Sequence, residues 1–170
     1  MQETGVVLRP ARPDDARPVW EWRNDPAARA ASFAQDPIEF PSHEQWFRAR
    51  LDDPATVFLV AEDAGGTAIG YVRFAFAAPG TGAATTSGTA ALSAEISVGL
   101  APASRGRGLG RAVIRNGCTA LAAAHGPVRV TARVKAGNEA SLRAFAAAGF
   151  AGGRPVQVAG GEAVELVLAP

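Results

Sequence analysis

The chain has 170 residues, 48% of them hydrophobic, with 17 basic against 16 acidic side chains and a formal net charge of +1. That length and apolar share suit one domain with a proper core, over residues 1–170, and the near balance of charge excludes a bulk electrostatic pull toward nucleic acid. One cysteine excludes a disulfide within the chain, and no run reaches the roughly 18 apolar residues of a membrane span. Met1 to Gly5 lacks signal-peptide character, which points to the cytoplasm. His43 and His125 are the only histidines and lack ligand-like spacing, so no metal site is expected.

Val6 to Arg9 reads as a first strand. Asp14 or Asp15 opens a helix that runs through Val19, Trp20 and Trp22 and ends before Pro26. Pro37 to Pro41 reads as an extended connector, and Ser42 with Gln45 fits a capping box for a helix through Trp46, Phe47 and Leu51. Thr56 to Ala61 and Ala68 to Ala75 alternate as strands around a Gly65-Gly66 turn. Pro79 to Ala91 is a low-complexity Gly/Thr/Ala/Ser stretch, expected to be a flexible internal loop. Ala94 to Leu100 is strand-like, and a helix pattern follows from Leu109 to His125. Cys118 falls in that helix among Val113, Ile114 and Leu121, the setting of a buried, inert thiol. Val128 to Val134 alternates, Asn138 is suited to cap the next helix, and Gly149 to end it. Pro155 to Val158 and Val164 to Leu168 make a last hairpin turned at Gly160-Gly161. The sum is an α/β chain with a mixed sheet of about seven strands and four helices.

The densest chemical signal is Arg105-Gly106-Arg107-Gly108-Leu109-Gly110-Arg111, set between a strand and a helix N-terminus. Glycines allow close backbone approach to an anion, free N–H groups and the helix dipole face it, and arginines add fork-shaped donors. The stretch lacks the Gly-Lys-Ser/Thr ending of a nucleoside-triphosphate loop. It also lies past mid-chain with no acidic residue near Arg129 or Thr131, unlike a dinucleotide fingerprint. A plainer reading is a glycine-rich turn with solvated arginines. Nucleic-acid binding by the basic patch of Arg105, Arg107, Arg111 and Arg115 is another, but interleaved aromatics are missing.

Read as Arg-x-x-Gly-x-Gly, the loop resembles the pyrophosphate-binding motif of the GNAT N-acetyltransferase superfamily. The later strand, Asn138, helix and Gly149-Phe150 ending are similar to that superfamily too. The resemblance covers nearly the whole chain and implies a GNAT fold, acetyl-CoA as donor and transfer of acetyl to a primary amine by direct attack in a ternary complex. It implies that Val98, Gly99 and Leu100 offer exposed backbone to the pantetheine arm. It assigns Arg105, Gly106, Arg107, Gly108, Leu109, Gly110 and Arg111 to the pyrophosphate, and Asn138, Ser141 and Phe145 to the arm. Glu95 is the candidate base: it is the only carboxylate on that strand, and partial burial between Ala94 and Ile96 would raise its pKa. A structural glutamate paired with an arginine such as Arg73 is the alternative. Phe145 stands where the family usually has a tyrosine acid, so water protonates the departing thiolate or it leaves unprotonated. Tyr71, the only tyrosine, reads as a sheet residue with a satisfied hydroxyl.

Trp22-Arg23-Asn24, then Ile38-x-Phe40-x-x-His43-x-x-Trp46-Phe47, is similar to the UDP-amino-sugar N-acetyltransferases of the pseudaminic-acid pathway. That likeness implies acceptor contacts for Trp22, Arg23, Asn24, His43 and Trp46, with the 4-amino group of a nucleotide-linked sugar as acceptor. The same residues also suit ordinary core and helix-end roles. A protein N-terminal (ribosomal-protein type) or other small-amine acetyltransferase is the alternative, as is a coenzyme A-binding module with weak or no catalysis. Partners would be the small-molecule amine and, as is frequent in the superfamily, a second copy in a homodimer; neither nucleic acid nor membrane is expected.

Overall fold

A computed structural model describes residues 5–78 and 92–170. Strand β1 (Val6–Pro10) leads through one 3-10 turn at Pro13–Asp15 to α1 (Ala16–Asn24), α2 (Pro26–Ala31) and α3 (Phe40–Leu51). Then come β2 (Thr56–Asp63), β3 (Ala68–Phe76), β4 (Leu92–Leu100), α4 (Leu109–His125), β5 (Val128–Lys135), α5 (Glu139–Ala147), β6 (Ala151–Val158) and β7 (Gly161–Leu168). All seven strands join one sheet in the order β1-β2-β3-β4-β5-β7-β6. Every neighbouring pair is antiparallel except β4 with β5, which run parallel with α4 as their crossover.

Two helical details correct the sequence reading. Helix α1 ends at Asn24, before Pro26 as expected, but Pro26 then opens a short helix the sequence did not suggest, sitting in the first turn of α2, where its missing N–H is harmless. Asp25 caps that helix by accepting from the Ala27 and Ala28 amides, both at 3.2 Å. Likewise α3 starts at Phe40, not Ser42, with Pro41 in its first turn and no side-chain cap, so the expected capping box does not form. The final hairpin is longer than expected on both strands; Pro155 sits in β6, which is an outer edge and tolerates a residue without a donor. Residues 79–91, expected as a flexible loop, lie outside the described residues.

The period-two alternation of β3 sends its residues to two different cores. Val72 and Phe74 face α4 and are fully buried. Helix α4 reaches them closely because Gly117 has no side chain; an added Cβ would stand 3.0 Å from Val72 Cγ1. On the opposite face Tyr71 packs with Phe58 of β2 and with Val19 of α1 and Phe47 of α3. Burying a Phe or Val side chain is worth roughly 1.5–3 kcal/mol each, so these faces hold the helices in place. Asn116 of α4 donates to the Val6 carbonyl at 3.0 Å, a buried polar tie between the helix and β1.

One irregularity positions everything that follows. Strands β4 and β5 pair only from Leu92↔Val128 to Glu95↔Thr131. Beyond that point β4 stays with β3 as far as Leu100, and β5 stays with β7 as far as Lys135. The two strands therefore part in the middle of the sheet, and among the described residues the facing backbone of Ile96 to Leu100 has no strand partner on that side.

Candidate active site

A cavity of about 1250 Å³ occupies the parting of β4 and β5. Val98, Gly99 and Leu100 line it from β4, and Val134 and Lys135 from β5. An extended molecule bearing amides can pair with such backbone as an added strand would. At the C-terminal end of β4 the chain passes a 3-10 turn, Pro102–Ser104, and enters the glycine loop. Gly106 (φ +69) and Gly108 (φ +74) adopt left-handed backbone, and a Cβ on either would meet no atom within 4 Å. The α4 N-cap, Gly108, supplies no side-chain cap, so the first amides of a 17-residue helix open toward the cavity. The loop is thus a backbone cradle of the size and sign for a phosphate.

The loop arginines divide their work. Arg111 lines the cavity, while Arg107 is exposed and does not. Arg105 lines it too, but its Nη1 is held by Asp25 at 2.5 Å and its Nε donates to the Leu100 carbonyl at 3.3 Å. The Arg105 guanidinium holds the Asp25 carboxyl below the usual carboxylate range, with amides of α2 assisting. Arg105 therefore fastens the loop to α2 and is not a freely swinging anion ligand.

Asn138 and Ser141 line the far wall with Phe145. Asn138 Oδ1 accepts from the Ser141 amide at 3.2 Å, and no described group engages its side-chain NH₂. The capping and binding readings of Asn138 are compatible, because one atom caps and the other faces the cavity wall. Phe145 is buried, with its ring edge-on to Phe150 at 5.0 Å.

The other end of the cavity is roofed by α1, α2 and the connector after them. Trp22, Arg23 and Trp46 line it, as the sequence suggested. Asn24 does not: its NH₂ donates to the Ile38 carbonyl at 2.7 Å and its oxygen accepts from the Ile38 amide at 2.8 Å, so it clamps the connector. His43 does not either. It is 1% exposed, packed against Trp46 and Phe47, and neither ring nitrogen has a hydrogen-bond partner. Burial, reinforced by the Arg23 charge and opposed only in part by the Ala16 backbone, lowers its pKa from 6.5 to about 4.

A family profile described as "Acetyltransferase (GNAT) domain" matches residues 6–151. The chain belongs to the GNAT acetyltransferase family. Among solved structures, AAC(6')-Ib in complex with ribostamycin and coenzyme A superposes with a TM-score of 0.80 at 22% identity, over 98% of this chain and 94% of that one. The spermidine N-acetyltransferase of Vibrio cholerae in complex with CoA and spermine gives a TM-score of 0.78 at 19% identity, over 96% and 95% of the two chains. Aminoglycoside acetyltransferase AAC(6')-Ib in complex with coenzyme A gives 0.78 at 24% identity, over 96% and 94%. These likenesses establish a shared fold. No curated protein sequence matches the chain.

As a GNAT acetyltransferase the protein uses acetyl-CoA as donor, and the cavity fits it: unpaired β4 backbone for an amide-bearing arm and an open amide cradle for a diphosphate. When bound, acetyl-CoA supplies an acetyl group activated as a thioester. What the chain's own groups offer around it departs from the sequence reading in two respects. Glu95 lines the cavity but is not enclosed by apolar neighbours; its side chain is 47% exposed and paired with Arg133 Nη1 at 2.5 Å, not with Arg73. Ala94 and Ile96 point to the other face of β4, as alternation requires. Tyr71 is buried, as expected of a sheet residue, but its hydroxyl is not satisfied within the core. It lines the cavity, no described group hydrogen-bonds its hydroxyl, and that oxygen would lie 3.0 Å from a Cβ built on Gly99. Burial raises its pKa, so near neutral pH it is an O–H donor.

Cys118 is partly rather than fully buried, yet desolvation raises its thiol pKa to about 12, which leaves it protonated near neutral pH. Among the described residues no cluster suits a metal ion, and no helix is long and apolar enough to cross a membrane. The sequence reading missed Arg73, Arg133 and Lys135, which all line the cavity. The available signal was strand alternation: Tyr71 and Arg73 share a face of β3, and Arg133 and Lys135 share the corresponding face of β5.

Proposed function

We propose that the protein transfers acetyl from acetyl-CoA to the primary amine of a nucleotide-linked amino sugar, by direct attack with both substrates bound. The observation that carries this reading is the charge of the cavity wall. Among the described residues eight basic ones line it (Arg23, Arg29, Arg73, Arg105, Arg111, Arg133, Lys135 and Arg143) against two acidic ones, Asp36 and Glu95. Arg105, Arg111 and Arg143 lie toward the glycine loop and α5, where the donor's phosphates belong; Arg23 and Arg73 lie at the roofed acceptor end. Polycationic acceptors such as aminoglycosides and spermine, which the structural neighbours bind, would meet repulsion there. An acceptor carrying phosphate would be drawn in, and Trp22 and Trp46 offer flat faces for a sugar or base.

Glu95 is the base in this reading. An alkylamine is mostly protonated near neutral pH and must lose that proton before attack. Glu95 stands on β4 four residues before Gly99, where the parting of the strands begins, and takes the proton directly or through water. A β4 backbone N–H and the Tyr71 hydroxyl are the donors available to charge developing on the thioester oxygen. Phe145 offers no proton, so the thiolate is protonated by water or leaves as the anion.

The test is thiol release from acetyl-CoA with a panel of acceptors: a UDP-linked 4-amino sugar, spermidine, kanamycin and short peptides with free N-termini. The UDP-linked sugar should have the highest kcat/KM. A peptide or spermidine as the best acceptor would overturn the reading. With the productive acceptor, Glu95→Gln should lower kcat/KM at least tenfold at pH 7 and less at high pH, where the amine is already free. Full activity across pH would remove Glu95 as the base.

A further inference from the structure

Among the described residues six arginines are partly buried; Arg29 gives its side-chain hydrogen bonds to the Asn24 and Gln35 carbonyls, and three have a carboxylate partner. Arg9 is held by Asp15 and Glu62, Arg50 by Asp53, and Arg105 by Asp25. Arg23 and Arg73 differ. Both line the cavity, and among the described residues neither forms an ion pair. Their guanidinium groups gather on one indole: the Arg23 Cζ lies 4.5 Å and the Arg73 Cζ 5.6 Å from the Trp46 ring centroid. The side-chain hydrogen bond of Arg73 goes to a neutral group, Ser97 Oγ, at 3.1 Å.

We infer that Arg23 and Arg73, seated on Trp46, form a diphosphate subsite for the acceptor, distinct from the glycine loop. The inference rests on the acceptor reading above and deepens it by naming the residues that select the substrate. Two cations drawn toward each other inside a cavity repel, and their attraction to the indole face offsets this only partly. An oxyanion held between them removes the repulsion and gains charge-assisted, fork-shaped hydrogen bonds. Two guanidinium charges match a diphosphate better than a single carboxylate.

The surrounding charges agree with this. Arg73 is desolvated, and Arg23 and Arg50 act on it as like charges; together they lower its pKa despite the influence of Tyr71 and Glu95. Arg50 is itself a cation and is paired with Asp53, and Glu95 is bonded to Arg133, so neither neutralises the pair. The donor's own diphosphate does not reach this place. Arg73 lies opposite Ser97, three residues before the end of β4, which at about 3.3 Å per residue is roughly 10 Å short of the strand end that leads into the loop.

The experiment is calorimetric titration of UDP into the protein saturated with CoA, so that the glycine loop is already filled. UDP should bind, and Arg23→Met and Arg73→Met should each weaken it at least tenfold while leaving CoA affinity within twofold, which also shows that the variants fold. Arg73→Lys should lose less than Arg73→Met, since charge is kept and the fork is lost. The inference is overturned if UDP fails to bind the CoA-loaded protein, if both Met variants bind it unchanged, or if succinate binds there and UDP does not. Turnover separates this from the acceptor reading. UDP binding that needs both arginines, without acetylation of any UDP-amino sugar, keeps the subsite and removes the sugar. Acetylation of a UDP-amino sugar with unchanged KM in both variants keeps the sugar and removes the subsite.

Discussion

Replacing His43 by Phe should change how stability depends on pH and leave catalysis alone. The ring is 1% exposed, sits on Trp46 and Phe47 at centroid distances of 5.5 and 5.8 Å, and has no hydrogen-bond partner on either nitrogen. In the folded protein its pKa is about 4, against about 6.5 for an unperturbed imidazole. Above pH 6.5 both states hold the ring neutral, and it contributes no pH dependence. As pH falls below 6.5 the unfolded chain takes up a proton that the folded chain refuses, so the native state loses about 1.4 kcal/mol per pH unit. The loss ends near pH 4, where the folded ring protonates as well, and amounts to about 3 kcal/mol. A phenyl ring keeps the stacking and cannot titrate. Urea unfolding of wild type and His43→Phe at half-unit steps from pH 7.5 to 4 should therefore show the variant gaining stability relative to wild type as acid is added. Carboxylates such as Asp15 and Asp25 titrate in both proteins and cancel in the difference. Parallel curves would show that the ring is not held neutral. A large fall in kcat/KM at pH 7.5 would instead return His43 to the acceptor site.

Three other substitutions probe the donor side. Asn138→Ala should cost about 1 kcal/mol through loss of the α5 cap, whereas Asn138→Asp should keep the cap yet raise the KM for acetyl-CoA, because the amide donors are gone and a negative charge is added; denaturant melts and initial rates read the two effects apart. Gly108→Ala forces a side chain into φ +74, which should cost about 1–2 kcal/mol and raise the acetyl-CoA KM with the acceptor KM unchanged. Phe145→Tyr restores a phenol on the α5 wall; kcat should stay within twofold, and a tenfold rise would show that protonation of the thiolate limits turnover.

The donor half of the site was legible because it is local. The α4 helix begins and ends where its periodicity and Gly108 and Gly126 place it, and Asn138 caps α5 as its residue type suggests. Chain order alone also conveyed the strands of the sheet. What escaped was non-local or depended on a choice between two allowed local roles. Pro26 and Pro41 can stop a helix or sit in its first turn, and only Asp25 and the packing of Phe40 against Trp20 select the latter. Asn24 and His43 carry polar atoms that suit a binding site equally well. Their fate was decided by the Ile38 backbone and by the core under α3. Glu95 meets Arg133, which is 38 positions away, so no window of sequence could reveal that its carboxylate is paired and open to solvent.

The parting of β4 and β5 gives this sheet four free margins where an open sheet has two. The outer pair is guarded in familiar ways: β6 carries Pro155 and an irregular register at Gly152 and Arg154, which spoil it as a template for a stray strand. The inner pair has no such guard in its own residues. Its cover comes from neighbouring elements, because residues of α5 and of α2 with its connector wall the cavity around it. Unmet main-chain groups that elsewhere would invite aggregation are thereby kept for the guest.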